Sequence, residues 1–363
     1  MTSSVYFAGI AADKLEEAAT LPAKFQRLLA RFPLGEMLRD KTVAIKMHLG
    51  RDLGYTTIHP LFARLLVDAV KEAGGKPFIT DLNDDVACAK DRGYTEETVG
   101  APLLGATGLR DRYHYSHPVA FGSLREIQVA GYIEDADVLI NFAHVKGHGD
   151  CGYGGACKNL AMGCVTQKTR EDLHAVEGGF AWDAKKCLRC GMCVQACRHG
   201  ANRFTEEGAY EIFYHDCVYC RHCVVACPQG AITIPAPEEF AKFQHGMALA
   251  AKTVLDTFAP GKALHINVLT NITILCDCWG FSTPSLVPDL GIAASADPVA
   301  IEQACLDLIK EENLIPGSLP KGRALVPGRH LFERIHAKDP FIQVDALERH
   351  RLGSRQYGLI EVD

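Results

Sequence analysis

Two runs of cysteine hold the densest chemistry in the chain. Cys187, Cys190, Cys193 and Cys197 are followed by Cys217, Cys220, Cys223 and Cys227, and each run has the spacing C-x2-C-x2-C-x3-C. A [4Fe-4S] cube needs four thiolates arranged tetrahedrally. Three closely spaced cysteines wrap one cube, and the fourth cysteine of each run serves the other. The expected sets are therefore Cys187, Cys190, Cys193 with Cys227, and Cys217, Cys220, Cys223 with Cys197. CLRCGMCVQACRHGA and CVYCRHCVVACPQGAI align position for position, an internal repeat that zinc knuckles or simple redox dithiols do not require. Pro228 follows the last cysteine, whereas Arg198 takes the equivalent place after the first run.

This segment resembles bacterial two-cluster ferredoxins. Between residues 181 and 236 it carries six basic side chains against five acidic ones, unlike a mobile acidic carrier. That balance suits a tethered relay that meets a redox donor or acceptor protein. With 363 residues there is room for this module and a larger domain. A formal net charge of −6 leaves no basic surface for nucleic acid, and no apolar run is long enough for a bilayer. The N-terminal residues lack the basic start and apolar stretch of an export signal, so the expected location is cytoplasmic, with no membrane or nucleic-acid partner. Fifteen cysteines in a reducing compartment point to metal ligation rather than disulfides.

Something must hold these groups in place. KTVAIKM (41–47), KPFITD (76–81), ADVLINFAHV (136–145) and ALHINVLTN (263–271) read as buried strands, being short, apolar and rich in β-branched residues. Helices are expected between them. One starts at Pro60 and stops at Gly74, with Leu61, Leu65, Leu66, Ala69 and Val70 as its apolar stripe. Another starts from an Asp297 cap and Pro298, and buries Ile301, Ala304, Cys305 and Leu308. The expected fold class is α/β, a largely parallel sheet with flanking helices, interrupted by a small α+β two-cluster ferredoxin-like insert. The host domain is then discontinuous, residues 1–178 plus 237–363, around an insert at 179–236.

In open α/β sheets ligands gather beyond the carboxyl ends of the strands. The loops there carry His48, Arg51 and Asp52; Asp81, Asn83 and Asp84; His144, Lys146, His148, Asp150, Cys151 and Cys157; and, in ITILCDCWG, Cys276, Asp277 and Cys278. KMHLG with GYTTIHP, ADVLINFAHVKGHG with GACKNLAMG, and DLGIAASADPVAIEQA together resemble the domain-of-unknown-function-362 family over nearly the whole chain. The resemblance implies an iron-sulfur α/β protein and matches Lys146 and His148, and Lys158 and Asn159, to family elements. It implies no substrate. His48 stands where asparagine is the commoner family residue.

Residues 147–164, GHGDCGYGGACKNLAMGC, admit three readings. His148, Cys151 and Cys157 could join Cys276 and Cys278 around an additional metal, since thiolate and imidazole suit iron, zinc or nickel. Gly154, Gly155, Lys158 and Asn159, with Lys146, could cradle a small anionic substrate or cofactor at a helix start. Alternatively the glycines serve close packing and the cysteines fill the core. Cys276 and Cys278 read as neighbours on one face of a strand: a metal pair, a dithiol shielded by Trp279, or simply two small hydrophobes at a buried strand end. The functional expectation is an iron-sulfur oxidoreductase or electron-transfer protein. Two [4Fe-4S] clusters would serve a substrate, flavin or second cofactor in the α/β domain, with His48, His144, His148 and Lys158 as candidate proton donors or anion ligands. The second expectation is a metal- or cluster-handling protein that uses the host cysteines and histidines.

Overall fold

The computed structural model describes residues 2–176, 180–197, 199–213, 216–217, 221–234, 237–321 and 325–363, with the side chains of 237–240 left aside. The apolar runs expected as strands form one sheet. Its members are β1 (Ser3–Gly9), β2 (Thr42–Met47), β3 (Lys76–Asp81), β4 (Leu103–Gly105), β5 (Val138–His144), β6 (Ala263–Leu269), β7 (Gly291–Ser295) and β8 (Tyr357–Glu361). Their spatial order is β8-β1-β7-β6-β5-β2-β3-β4. Only β7 runs antiparallel to its neighbours, so the sheet is mostly parallel and the fold class is α/β. Nothing in the sequence singled out β1, β4, β7 or β8 as strands.

Side chains alternate between the two faces as a pleated strand requires. Val43, Ile45 and Met47 of β2 and Val138, Ile140 and Phe142 of β5 enter one apolar layer; Ala44 and Leu139 enter the other. Burial on both faces explains why these strands lack a polar-apolar alternation. Helix α1 (Pro60–Glu72) covers the first layer, with His59 as its cap and Gly74 in the left-handed region just past its end. Its buried residues are Ala63, Leu66, Val67 and Val70, whereas Leu61 is exposed. The buried face is thus rotated from the expected stripe, sharing only Leu66 and Val70 with it. Helices α2 (Ala156–Gly163), α3 (Pro237–Asp256) and α4 (Pro298–Leu308) cover the opposite face, and α2 packs on both α3 and α4. Asp297 caps α4 by accepting from the Val299 and Ala300 amides, and Cys305 is a core residue, both as expected.

Among the described residues between 181 and 233 the strands form two-stranded ladders, and a separate apolar cluster includes Tyr210, Ile212, Ile232 and Ile234. Of the expected insert boundaries, 178, 179 and 236 lie outside the described residues, whereas 237 starts α3. No helix of the described residues is long and apolar enough to cross a membrane.

Glu302, on the face of α4 that meets α2, was not anticipated. It is fully buried, and one carboxylate oxygen accepts from the Cys157 amide at 2.7 Å. Burial pushes its carboxyl up from 4.5 to about 7. A raised carboxyl binds its proton more tightly in the folded chain, so its contribution to stability is complete below about pH 4.5 and is lost as pH rises through about 7. Urea unfolding of the wild type and of Glu302→Gln across this window should therefore diverge. The wild type should lose about 3 kcal/mol relative to the variant by neutral pH; a pH-independent difference would contradict this role.

Candidate functional site

Strand β2 connects to β3 on one side, while β5 connects to β6 on the other. The gap between β2 and β5 is thus a topological switch point, where loops diverge and leave a crevice. The penultimate residue of β2 is Lys46, a single charge in an otherwise apolar strand. Its ammonium lies 2.8 Å from Asp81 at the end of β3 and 2.9 Å from the Asn159 side-chain oxygen on α2, and both Lys46 and Asp81 are 1% exposed. Asn159 in turn donates to the Lys46 carbonyl and to Asn141 of β5. One asparagine therefore ties α2 to both strands flanking the gap.

Asp81 also accepts from the Leu49 amide at 2.9 Å and faces His48 Nδ1 at 3.0 Å. Burial alone would raise this carboxyl, but Lys46 and His48 outweigh it and hold it well below the usual range. Facing a carboxylate, Nδ1 carries the proton, which leaves Nε2 buried and without a hydrogen-bond partner. Asp85 is the next carboxylate along, held by the Arg51 guanidinium and raised by its burial and by Asp81.

A second buried carboxylate stands across the gap. Asp277 takes the Lys146 ammonium at 3.0 Å and His144 Nδ1 at 2.8 Å, and Lys146 and then His144 hold it well below the usual range against the effect of burial. His144 Nε2 faces the Thr270 carbonyl at 2.7 Å. Both ring nitrogens thus meet acceptors, an arrangement that only the imidazolium fully satisfies, while burial and Lys146 oppose that charge. Lys146 also donates to the Thr56 hydroxyl and carbonyl. It orients Asp277 instead of lining the crevice.

Asp277 lies between Cys276 and Cys278. The expected strand here is instead a short 3-10 turn, Asp277–Trp279, capped by Cys276, and the two cysteines are joined as a disulfide. The turn, rather than the pleat of a strand, brings the sulfurs together. The cavity they share has a volume of about 100 Å³, and its walls include Lys46, His48, Asp81, His144, Lys158 and Arg170. Lys158 approaches Cys276 Sγ at 3.6 Å, and burial lowers its ammonium. Among the described residues, Lys158 and Arg170 have no salt-bridge partner, whereas Lys46 and Arg51 are neutralised by Asp81 and Asp85.

Residues 147–164 divide between the readings. Gly154, Gly155, Lys158 and Asn159 line the cavity. Several glycines there also answer to close packing. A Cβ on Gly147 would stand 2.4 Å from the Ile274 carbonyl oxygen, and one on Gly152, whose φ is +74°, 2.4 Å from the Lys338 oxygen. His148, Cys151 and Cys157 are buried elsewhere, with His148 Nδ1 near the Asp150 amide and Cys151 Sγ. Groups of three that could hold a metal, among the described residues, are His48 with Cys276 and Cys278, and His48 with Asp81 and Asp85. Among the described residues it is His48, and not His148, Cys151 or Cys157, whose ligand atom lies near the Cys276–Cys278 pair. Sequence reasoning passed over Lys46, Asp85 and Arg170. The lone lysine in VAIKM was a usable signal; Arg170, on a polar helix, offered none.

Away from this crevice, Cys187, Cys190, Cys193 and Cys227 line one small cavity with Trp182 and Tyr210. Cys197, Cys217 and Cys223 line another; Cys220 lies outside the described residues. The pseudo-repeat persists in detail. Ala201 and Ala231 each donate a backbone N–H to the sulfur of Cys197 and Cys227, both at 3.3 Å, and Gly191 and Arg221 occupy equivalent left-handed positions. The Phe213 ring meets Trp279 edge-on at 5.0 Å, and Lys338 donates to the Cys217 carbonyl, so the second cysteine group abuts the Cys276–Cys278 turn.

The family described as domain of unknown function (DUF362) matches residues 43–307. No curated protein sequence matches the chain. Among solved structures, the lactate racemase apoprotein from Thermoanaerobacterium thermosaccharolyticum is similar at 11% identity and a TM-score of 0.35, covering 74% of this chain and 51% of that one. The chain spans about half the length of that structure.

Removing one member of the Lys46–Asp81 pair strands a buried charge. Asp81→Ala should cost about 3–5 kcal/mol in denaturant unfolding, and Asp81→Ala with Lys46→Met distinctly less. Equal losses in the single and double variants would show that the pair is not the structural unit inferred.

Proposed function

From the premise that the chain belongs to the DUF362 family, whose description specifies no reaction, we propose that it is an iron-sulfur oxidoreductase. In this reading two [4Fe-4S] clusters serve a small anionic substrate or cofactor bound in the crevice between β2 and β5. The observation that carries it is the sorting of cysteines between two cavities. Each cavity receives the fourth cysteine of the opposite run, as the crossed ligation of a two-cluster ferredoxin requires. The backbone donors to Cys197 and Cys227 fit thiolates that carry negative charge. Bound there, such clusters supply one-electron transfer. The ferredoxin-like segment is taken as residues 179–236, within a host of 1–178 and 237–363.

The chain's own residues do the rest. Lys158 and Arg170 hold the anion, because the other cations at the crevice are already paired with carboxylates. His48, fixed through Nδ1 by Asp81, exchanges a proton at Nε2, while His144 is committed at both nitrogens and maintains Asp277. His148 takes no part, being buried away from the cavity. Trp279 and Phe213 bring the cysteine segment against the crevice, so a reacting group there stays close to its electron source. A protein donor or acceptor meets the module on its outer side.

Crossed ligation gives an unusual expectation. Cys187→Ala with Cys227→Ala removes ligands from one set only and should leave about four of about eight irons in protein prepared without oxygen; Cys187→Ala with Cys197→Ala should deplete both sets. Iron and sulfide analysis distinguishes these cases, and a colourless, iron-poor wild type after reconstitution would end the reading. Lys158→Met should leave the iron content and visible absorbance unchanged while weakening phosphate binding, measured by calorimetry, by about tenfold or more.

A further inference from the structure

The Cys276–Cys278 disulfide has no task in the reading above, yet it sits in the wall of the crevice. Its two sulfurs and His48 offer ligand atoms that lie within 4.8 Å of one another. His48 is already oriented as a metal-binding imidazole would be. Asp81 engages Nδ1 and so directs the lone pair to Nε2, the buried nitrogen with no hydrogen-bond partner. The rival group, His48 with Asp81 and Asp85, is less available, since those carboxylates already hold Lys46, the Leu49 amide and Arg51. Two sulfurs and an imidazole select thiophilic divalent ions over magnesium or calcium.

We propose that His48, Cys276 and Cys278 bind a thiophilic divalent cation of the zinc, cobalt or nickel type, and that the disulfide keeps this site closed until it is reduced. The two sulfurs differ in a way that suits reduction by a dithiol donor. Cys278 is half-buried and can be reached, whereas Cys276 is buried beside the Lys158 ammonium. A donor thiolate attacks Cys278 Sγ, the S–S bond breaks, and Cys276 departs as a thiolate stabilised by Lys158. The donor's second thiolate then attacks its own sulfur in the mixed disulfide and releases Cys278. Two electrons pass to the cysteine pair, the donor ends as a disulfide, its two protons go to solvent, and the cation takes both cysteine thiolates. Three protein ligands would leave one position of a tetrahedral site unfilled, the pattern of a reactive rather than a closed structural site. Occupancy at Nε2 also withdraws His48 from proton transfer. The exchange needs no iron-sulfur chemistry, so this site stands or falls separately from the electron-transfer reading.

Cobalt(II) alone is the probe. The full chain, prepared without oxygen and with its iron retained, is divided; one half is treated with dithiothreitol, and both halves are desalted and titrated. The reduced half should take up about one more cobalt per chain, with a thiolate-to-cobalt charge-transfer band that the oxidised half lacks. His48→Ala should keep part of the band but weaken binding by about tenfold or more. Cys276→Ser with Cys278→Ser should abolish both the band and the difference between halves. Equal uptake by oxidised and reduced protein, or an unchanged band in the double serine variant, overturns the proposal. If that variant does not fold, alkylation of the reduced wild type, mapped by mass to Cys276 and Cys278, replaces it; cobalt uptake that survives alkylation is equally fatal.

Discussion

Two buried aspartates, each clasped by a buried lysine and a histidine, govern this structure. Asp81 with Lys46 and His48, and Asp277 with Lys146 and His144, face one another across the gap where the sheet's connections diverge. Charges removed from water are tolerated only with close partners, so each pair constrains the loops that bring its members together. The loop after β2 cannot move without exposing or stranding Asp81, because the Leu49 amide and His48 are bound to the same carboxylate. The turn at 276–279 is held in the same way through Asp277. The crevice is consequently a polar site with fixed walls, although it is built from loops.

The same bonds decide which groups remain available. Lys46, Lys146 and Arg51 are spent on carboxylates, and His144 meets acceptors at both nitrogens. What is left facing the cavity is Lys158, Arg170, one nitrogen of His48 and the sulfurs of the Cys276–Cys278 turn. Among the described residues, Lys158 and Arg170 are the cations of this cavity without a salt-bridge partner, and the proposal of a small anion there rests on them. The Phe213–Trp279 contact sets the cysteine-rich segment beside the Cys276–Cys278 turn.

Much of this was legible in the chain itself. The cysteine spacing and its repeat, the central parallel strands, the Asp297–Pro298 start of α4 and the convergence of His48, Asp81, His144 and Asp277 all follow from local rules of spacing and from strand ends being loop starts. Membership of the family could also be seen in its glycine-rich and lysine-histidine elements. Strands β1, β4, β7 and β8 escaped notice. β1, for example, pairs with β8 more than 300 residues away, a partnership that no local pattern reveals.

What sequence determined, then, was which ligand types exist and at which strand ends they emerge, because covalent spacing and side-chain periodicity are local properties. Tertiary structure alone decided the partnerships: that His48, not His148, stands beside the Cys276–Cys278 pair, that Cys151 and Cys157 belong to the core, and that Lys46 and Glu302 are buried. Those outcomes depend on where separate loops and helices come to rest around a switch point, and on which charges find counter-ions there. No rule of spacing along the chain encodes such distances across it.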